Sequence, residues 1–96
     1  MGRKSLAEEY YEEVPEEEDQ EKGTWVVIYD FRGRKPNPRF WRNLKRLFAL
    51  AGDGSMVQYS VFLTRRKRGA IAAVKIARHY GAEVMVFKGE EAEFSL

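Results

Sequence analysis

Two β-type segments separated by the length of one helix constrain the fold of this chain most strongly. The first, residues 24–30, is rich in β-branched and aromatic residues, follows Gly23 and ends in a carboxylate, Asp30. Because both of its faces are largely apolar, we expect it to lie in the middle of a sheet. The second, residues 55–64, alternates along its length and is predicted to be one long strand, with a bulge near Gln58-Tyr59.

Two amphipathic helices are predicted around the second strand. The first has Asn37 as its N-cap, Pro38 at its first position and Gly52 as its stop signal. Its apolar face comprises Phe40, Leu44, Leu47, Phe48 and Ala51. The second covers residues 67–80 and ends at Gly81. Its predicted buried side comprises Ala70, Ile71, Ala73, Val74 and Ala77.

A third strand over residues 83–88 and a short last strand over residues 92–96 complete the predicted order β-α-β-α-β-β. This order favours an α+β fold, a ferredoxin-like sandwich with a mainly antiparallel sheet and two helices on one face. The opposite face must then be polar or be covered, and Trp25, Met56, Phe62 and Phe87 are the candidates to lie on it. We therefore expect a homodimer formed through the sheet, with residues 94–96 as an edge strand that joins the partner.

The composition limits the classes of protein to consider. A chain of 96 residues forms one domain at most, and the absence of cysteine excludes disulfides and thiolate zinc sites. It contains no apolar run long enough to span a membrane. We expect a cytoplasmic protein with no membrane partner.

Charge divides the chain more sharply than its net value of +2 suggests. Residues 1–22 carry a net charge of −6, residues 23–80 carry +11 and residues 81–96 carry −3. Residues 1–22 are predicted to be an acidic, disordered leader to a folded domain over residues 23–96. Two other interpretations stay open: a short helix over residues 6–14, and an electrostatic mimic that covers a basic face. The basic middle segment itself predicts a polyanionic partner, most often nucleic acid.

Asp30 is the candidate catalytic residue and metal ligand. It is the only acidic residue between Gly23 and Gly52, and it stands at the end of a predicted buried strand. Mg²⁺ favours one or two carboxylates together with substrate phosphates, so a twofold dimer that brings two copies of Asp30 together would supply a shared site. The alternative is that Asp30 caps the following loop through hydrogen bonds to the backbone.

Two groups of cations are the candidate nucleic-acid contacts. The first follows Asp30 and comprises Arg32, Arg34, Lys35, Arg39 and Arg42. The second opens the second helix and comprises Arg65, Arg66, Lys67 and Arg68. Cations at a helix start oppose the helix dipole, and a phosphate bound at that N-terminus would account for them. A solvated basic face is the alternative for the first group, and a localisation signal is a weak alternative for the second.

The segments Val27-Ile-Tyr-Asp30 and Val57-Gln-Tyr-Ser-Val-Phe62, with the basic amphipathic helix between them, resemble the Cas Two family of CRISPR spacer acquisition. The resemblance covers residues 24–96. It implies a ferredoxin-like homodimer in which the acid matching Asp30 faces its own copy across the twofold axis and binds Mg²⁺. In this comparison Arg42 matches a basic position of the family, and Phe62 matches the aromatic residue of the second strand.

The same resemblance implies a role in antiviral spacer acquisition. Members of the family are described as metal-dependent endonucleases on single-stranded RNA or duplex DNA, and as the core that holds duplex DNA between integrase dimers. We therefore expect a dimeric binder of duplex nucleic acid with a CRISPR integrase as partner, and we leave endonuclease activity open. The alternatives are a non-catalytic nucleic-acid-binding module with a single-strand stacking platform on its sheet, and a toxin-like endoribonuclease of the same fold.

Overall fold

The structure, a computed structural model, describes residues 3–58, 60–90 and 92. Its elements are α1 (Leu6–Glu13), a 3₁₀ turn (Glu16–Gln20), β1 (Thr24–Asp30), α2 (Pro38–Ala51), β2 (Ser55–Gln58), β3 (Val61–Thr64), α3 (Lys67–His79) and β4 (Glu83–Gly89). The last strand that the sequence predicts over residues 92–96, with its proposed edge at 94–96, lies outside the described residues apart from Ala92.

The four strands form one antiparallel sheet in the order β2-β3-β1-β4. β1 is central, as its two apolar faces predict, and Val27 lies opposite Phe62 of β3 and Val86 of β4. From β1 onward the order is β-α-β-β-α-β, with α2 and α3 on one face of the sheet. The predicted α+β class is confirmed, and the arrangement is compatible with a ferredoxin-like sandwich.

The prediction of one long strand over residues 55–64 is wrong. Residues 55–58 and 61–64 instead form two antiparallel strands, β2 and β3, with a register shift between Met56 and Gln58. The predicted bulge near Gln58-Tyr59 falls partly on Tyr59, which lies outside the described residues. An alternating pattern is the same in a long strand and in a tight hairpin. No Gly, Pro, Asn or Asp falls between Gln58 and Val61 to indicate the turn.

The local signals of α2 are confirmed. The Oδ1 atom of Asn37 accepts a hydrogen bond from the backbone N–H of Arg39 at 2.9 Å, and Gly52 ends the helix with a φ of 72°. In α3 the buried side differs from the prediction, because Ala72 and Ile76 are buried whereas Ile71 and Val74 are only partly covered. Small side chains on both sides of a helix leave its inward face ambiguous until the neighbours are known.

The helix-covered face of the sheet holds residues that the sequence placed on the open face. Trp25, Val27 and Tyr29 alternate along β1 and are all buried in the core. Phe62 is fully buried and stacks on Phe48 of α2, with ring centroids 4.8 Å apart. The prediction that Trp25 and Phe62 lie on the open face is therefore wrong.

Met56 and Phe87 are the other two residues that were predicted to lie on the open face. Met56 pairs with Phe62 in the register, so Met56 also belongs to the helix side, where it is 39% exposed. Phe87 lies opposite Val26 and does occupy the open face. A residue type alone does not reveal which face of a sheet it occupies, because a one-residue change of register exchanges the faces.

The described part of the acidic leader, residues 3–22, contains α1 and the 3₁₀ turn, in contrast to the prediction of disorder and in agreement with the short-helix alternative. α1 packs across α2 and α3 and buries Ala7 and Val14. The hydroxyl of Ser5 caps the helix by accepting a hydrogen bond from the N–H of Glu8 at 3.1 Å. The amide oxygen of Asn43 on α2 accepts another from the N–H of Ala7 at 3.0 Å. Four acids of this segment form ion pairs with cations of the folded domain, which offsets part of the self-repulsion that favoured disorder.

Candidate nucleic-acid interface

Asp30 lies exposed at the end of β1, where the chain leaves the sheet. Its Oδ1 atom accepts a hydrogen bond from the backbone N–H of Arg32 at 2.8 Å, and Arg32 adopts a φ of 57°. This is the loop-capping role that the sequence left open as an alternative. The interaction occupies one of the two carboxylate oxygens.

A second carboxylate, that of Glu83, lies beside Asp30. Glu83 is the cross-strand partner of Asp30 in β4, and its carboxylate forms an ion pair with the guanidinium of Arg32. The hydrogen bond from Arg32 to Glu83, with the charge of that carboxylate, raises the pKa of Arg32. Sequence reasoning missed Glu83, since only the antiparallel pairing of the first and last strands brings the two acids together.

These side chains do not make a metal site within one chain. The part of the chain that the structure describes contains no group of three or more His, Cys, Asp or Glu residues arranged to hold a metal ion. Arg32 places a positive charge beside Asp30 and Glu83, which opposes cation binding. A magnesium site here requires further oxygen ligands, from phosphates or from a second copy of Asp30.

Four of the predicted phosphate contacts are exposed in the loop and the helix that follow Asp30. They are Arg34, Lys35, Arg39 and Arg42, in the loop before α2 and on its first turns. Arg39 and Arg42 are three residues apart and therefore lie on one side of the helix. No ion pair engages any of these four among the described residues. The structure thus leaves this group available to an external anion.

The other predicted cations lie at the opposite end of the sheet. Thr64, at the end of β3, pairs with Trp25 near the start of β1, so residues 65–68 begin α3 far from Asp30. A seven-residue strand spans about 20 Å, which is the separation between the two ends. The structure therefore divides the nine predicted contacts into two groups rather than one site.

Two of the four cations at the start of α3, Lys67 and Arg68, contact the acidic leader. Lys67 Nζ lies 2.8 Å from Glu21 Oε1 and 3.4 Å from Glu18 Oε2. The backbone N–H of Arg68 donates to Asp19 Oδ1 at 2.9 Å. An acid of the same chain thus occupies the helix N-terminus where the sequence predicted a bound phosphate.

Arg68 anchors the leader with its side chain. Its guanidinium donates to the carbonyl oxygens of Val14 at 3.0 Å and Tyr11 at 2.9 Å, and its Cζ lies 4.0 Å from the centroid of the Tyr11 ring. The neighbouring N–H of Arg65 donates to Asp53 Oδ2 at 2.7 Å. Arg68 therefore serves an intramolecular contact that its sequence position did not reveal.

Further ion pairs join the leader to the folded domain. Three of them are Glu8 with Arg46 at 2.9 Å, Glu13 with Lys75 at 3.3 Å and Glu21 with Lys88 at 2.8 Å. Hydrogen bonds from Lys67 and Lys88 lower the pKa of Glu21 to about 2. The sequence suggested an electrostatic cover in general terms, but it could not identify these partners, which are distant along the chain.

The open face of the sheet is apolar. By register it carries Val26, Ile28, Val61, Leu63, Met85 and Phe87. Met85 and Phe87 are 56% and 54% exposed, and Asp30 and Glu83 lie at one end of the same face. Exposed apolar side chains on one face of a sheet are a common feature of interaction surfaces.

Comparison of this chain with protein-family models, with curated proteins and with solved structures gives no match. The resemblance to the Cas Two family therefore stays a prediction from the quoted motifs. Within the described ranges, no helix has the length and apolar character needed to cross a membrane.

Proposed function

We propose that this chain binds duplex nucleic acid through its backbone phosphates and does so as a homodimer, in the manner of Cas Two proteins of CRISPR spacer acquisition. One observation carries the proposal. Arg34, Lys35, Arg39 and Arg42 are exposed and form no ion pairs among the described residues, and they lie within residues 23–80, which carry a net charge of +11. Contacts between such cations and phosphates provide affinity that does not depend on base sequence.

A duplex suits this surface better than a single strand. Proteins that bind single strands stack successive bases on aromatic side chains. The open face of the sheet presents one aromatic ring in its described part, that of Phe87, among aliphatic residues. The stacking-platform alternative therefore has little support, and we assign the nucleic acid to the cations of the loop and α2.

The apolar open face favours a second copy of the chain as its cover. Dimerisation through this face would remove Met85 and Phe87 from water. Because Asp30 lies at the end of the same face, a twofold axis near it would bring two carboxylates together. A shared Mg²⁺ between two copies of Asp30 and the phosphates of the nucleic acid is the form of metal binding that we propose.

Endonuclease activity at Asp30 is the second candidate function. It depends on that shared metal, and the oxygen of Asp30 that does not cap the loop is the proposed ligand. Cleavage of single-stranded RNA would instead favour the toxin-like alternative. An integrase partner and a cytoplasmic location stay predictions from the resemblance and the composition.

Binding to a labelled DNA duplex at several salt concentrations tests the proposal. The double variant Arg39→Gln/Arg42→Gln should bind about 10-fold more weakly near 0.1 M salt, and the slope of log affinity against log salt should fall by about 2. A matched control, Arg3→Gln/Lys4→Gln, removes the same charge from the leader and should change affinity by less than about twofold. Equal losses in the two variants, or no binding by the unaltered protein, would contradict the assignment.

Cleavage is measured in the same samples with and without Mg²⁺, on duplex DNA and on single-stranded RNA. Asp30→Asn is the diagnostic variant, because an asparagine retains the acceptor for the Arg32 N–H but loses the charge. Metal-dependent cleavage that disappears in Asp30→Asn would support the endonuclease. Binding without cleavage in either protein would assign a scaffold role.

A further inference from the structure

The segment Glu16–Gln20 together with Glu21, which we call the acidic strap, lies across the start of α3 without burying any side chain in the 3₁₀ turn. The preceding helix α1 differs, because it inserts Ala7 into the core and is fastened by Arg68. The strap is held mainly by charge and hydrogen bonds. Its contacts are those of Glu18 and Glu21 with Lys67, of Glu21 with Lys88, and of Asp19 with the Arg68 N–H.

We propose that the acidic strap is an autoinhibitory cover that occupies phosphate positions at the start of α3 and is displaced when the backbone of a duplex binds there. This inference rests on the proposed function, since it concerns the regulation of the same binding activity. The surface that binds nucleic acid would then include the start of α3, at the opposite end of the sheet from Asp30.

The carboxylates of the strap, like a phosphate, present negatively charged oxygens that accept hydrogen bonds and pair with cations. The N-terminus of a helix presents N–H groups and partial positive charge, and it accepts a carboxylate or a phosphate oxygen alike. Asp19 takes the N–H of Arg68, while Lys67 lies between two further acids, Glu18 and Glu21. A polyanion that contacts Lys67 must therefore compete with acids already in place.

The strap is built to be displaced rather than to hold the fold together. The side chains of Glu18 and Glu21 are 39% and 42% exposed, so salt and solvent weaken their ion pairs. Asp19 alone would suffice as a cap for α3, yet four consecutive acids, Glu16–Asp19, occur. Glu16 and Glu17 are exposed and form no ion pair with any described cation, which increases the negative charge without adding a contact.

The test compares two triple variants with the same change in charge. Glu18→Gln/Asp19→Asn/Glu21→Gln removes the charges that contact α3 and β4 but retains hydrogen-bond acceptors. Glu9→Gln/Glu12→Gln/Glu13→Gln removes three exposed charges from α1, which lies in the same leader but outside the strap. Affinity for a DNA duplex is measured by fluorescence anisotropy from low to high salt. Thermal unfolding followed by circular dichroism verifies that both variants are folded.

The strap variant should bind the duplex about 10-fold more tightly than the unaltered protein at low salt, and this gain should shrink as salt rises. The control variant should gain less than about threefold. Equal gains in the two variants, or no gain in the strap variant while the unaltered protein binds, would overturn the inference and leave the proposed function intact. If none of the three proteins binds the duplex, both the proposed function and this inference are contradicted.

Hydrogen exchange in the unaltered protein gives a second measurement that needs no substitution. The N–H of Glu18 donates to Pro15 O at 3.1 Å and that of Glu21 to Glu18 O at 3.3 Å. With saturating duplex, these strap amides should exchange several-fold faster while the amides of α1 keep their protection. Unchanged exchange of the strap amides in the bound state would overturn displacement.

Discussion

The carboxylate of Asp30 and the backbone N–H of Arg32 are joined by a hydrogen bond of 2.8 Å that turns the end of β1 into the following loop. Arg32 reaches back from this loop to Glu83 on β4. The residue that the family resemblance makes a metal ligand thus also has a structural role. Any experiment on Asp30 must therefore separate the loss of charge from the loss of the cap.

The pair Asp30→Asn and Asp30→Ala separates the two roles. We expect Asp30→Ala to lower the free energy of unfolding by about 1 kcal/mol, because the Arg32 N–H loses its acceptor. Asp30→Asn should cost less than half of that loss, since its amide oxygen still accepts the bond. Urea unfolding of both variants measures the difference, and equal losses would argue against the capping role.

Dimerisation through the open face predicts opposite results for two neighbours on β4. Phe87 and Val86 are 54% and 43% exposed but lie on opposite faces of the sheet. Sedimentation equilibrium should give the unaltered chain about twice its 11.2 kDa mass, and Phe87→Glu should return it to a monomer. Val86→Glu is the control and should remain dimeric. A monomeric unaltered protein at micromolar concentration would contradict the dimer.

Arg68→Lys should destabilise the protein although it keeps the charge. A lysine cannot donate simultaneously to the carbonyls of Val14 and Tyr11 in the way a guanidinium does. We expect a loss of about 1–3 kcal/mol in the free energy of unfolding, measured with denaturant. The exposed neighbour provides the control, because Arg66→Lys should change stability by less than about 0.5 kcal/mol. Similar values for the two variants would show that Arg68 does not anchor the leader.

Tyr29→Phe should stabilise the fold at neutral pH. The hydroxyl of Tyr29 is buried and has no hydrogen-bond partner within the described residues. Replacing it with hydrogen removes an unsatisfied polar group and should raise the free energy of unfolding by about 1 kcal/mol. A loss of stability in thermal or denaturant unfolding would indicate that the hydroxyl is bonded.

The hydroxyl of Tyr29 should also make the stability of the fold depend on pH in the alkaline range. Burial raises the pKa of Tyr29 from 10.0 to about 12, so the fold favours the neutral phenol. The free energy of unfolding is therefore unaffected by ionisation of Tyr29 below pH 10 and falls as the pH rises from 10 towards 12, because the unfolded chain ionises first. Stability measured over this range should fall less steeply in Tyr29→Phe than in the unaltered protein.

Acid should loosen the strap through Glu21. Hydrogen bonds from Lys67 and Lys88 lower the pKa of this carboxyl from 4.5 to about 2, so the fold favours the ionised form. The contribution of Glu21 is therefore present above pH 4.5 and is lost as the pH falls from 4.5 to about 2. Side-chain carboxyl chemical shifts should show Glu21 titrating well below 4.5. A titration near 4.5 would contradict these contacts.

The elements with strong local signals could be predicted from the sequence. The Asn37-Pro38 start of α2, its Gly52 stop and the central position of β1 need only short-range information, and the structure confirms them. The hairpin at residues 55–64 could not be predicted, because its turn lacks the residues that usually mark one. The faces of Trp25 and Phe62 were misassigned for a related reason, since alternation establishes that two faces exist but not which one the helices cover.

By itself the sequence determined the α+β class, the bounds of α2, the charge division of the chain and the identity of the candidate cations. Composition, capping residues and apolar periodicity carry that information locally. Only the tertiary structure decided that Glu83 lies beside Asp30, that the cations divide between two ends of the sheet, and that Asp19 caps α3. Each of these relations joins residues that are distant along the chain, and strand register and helix packing bring them together.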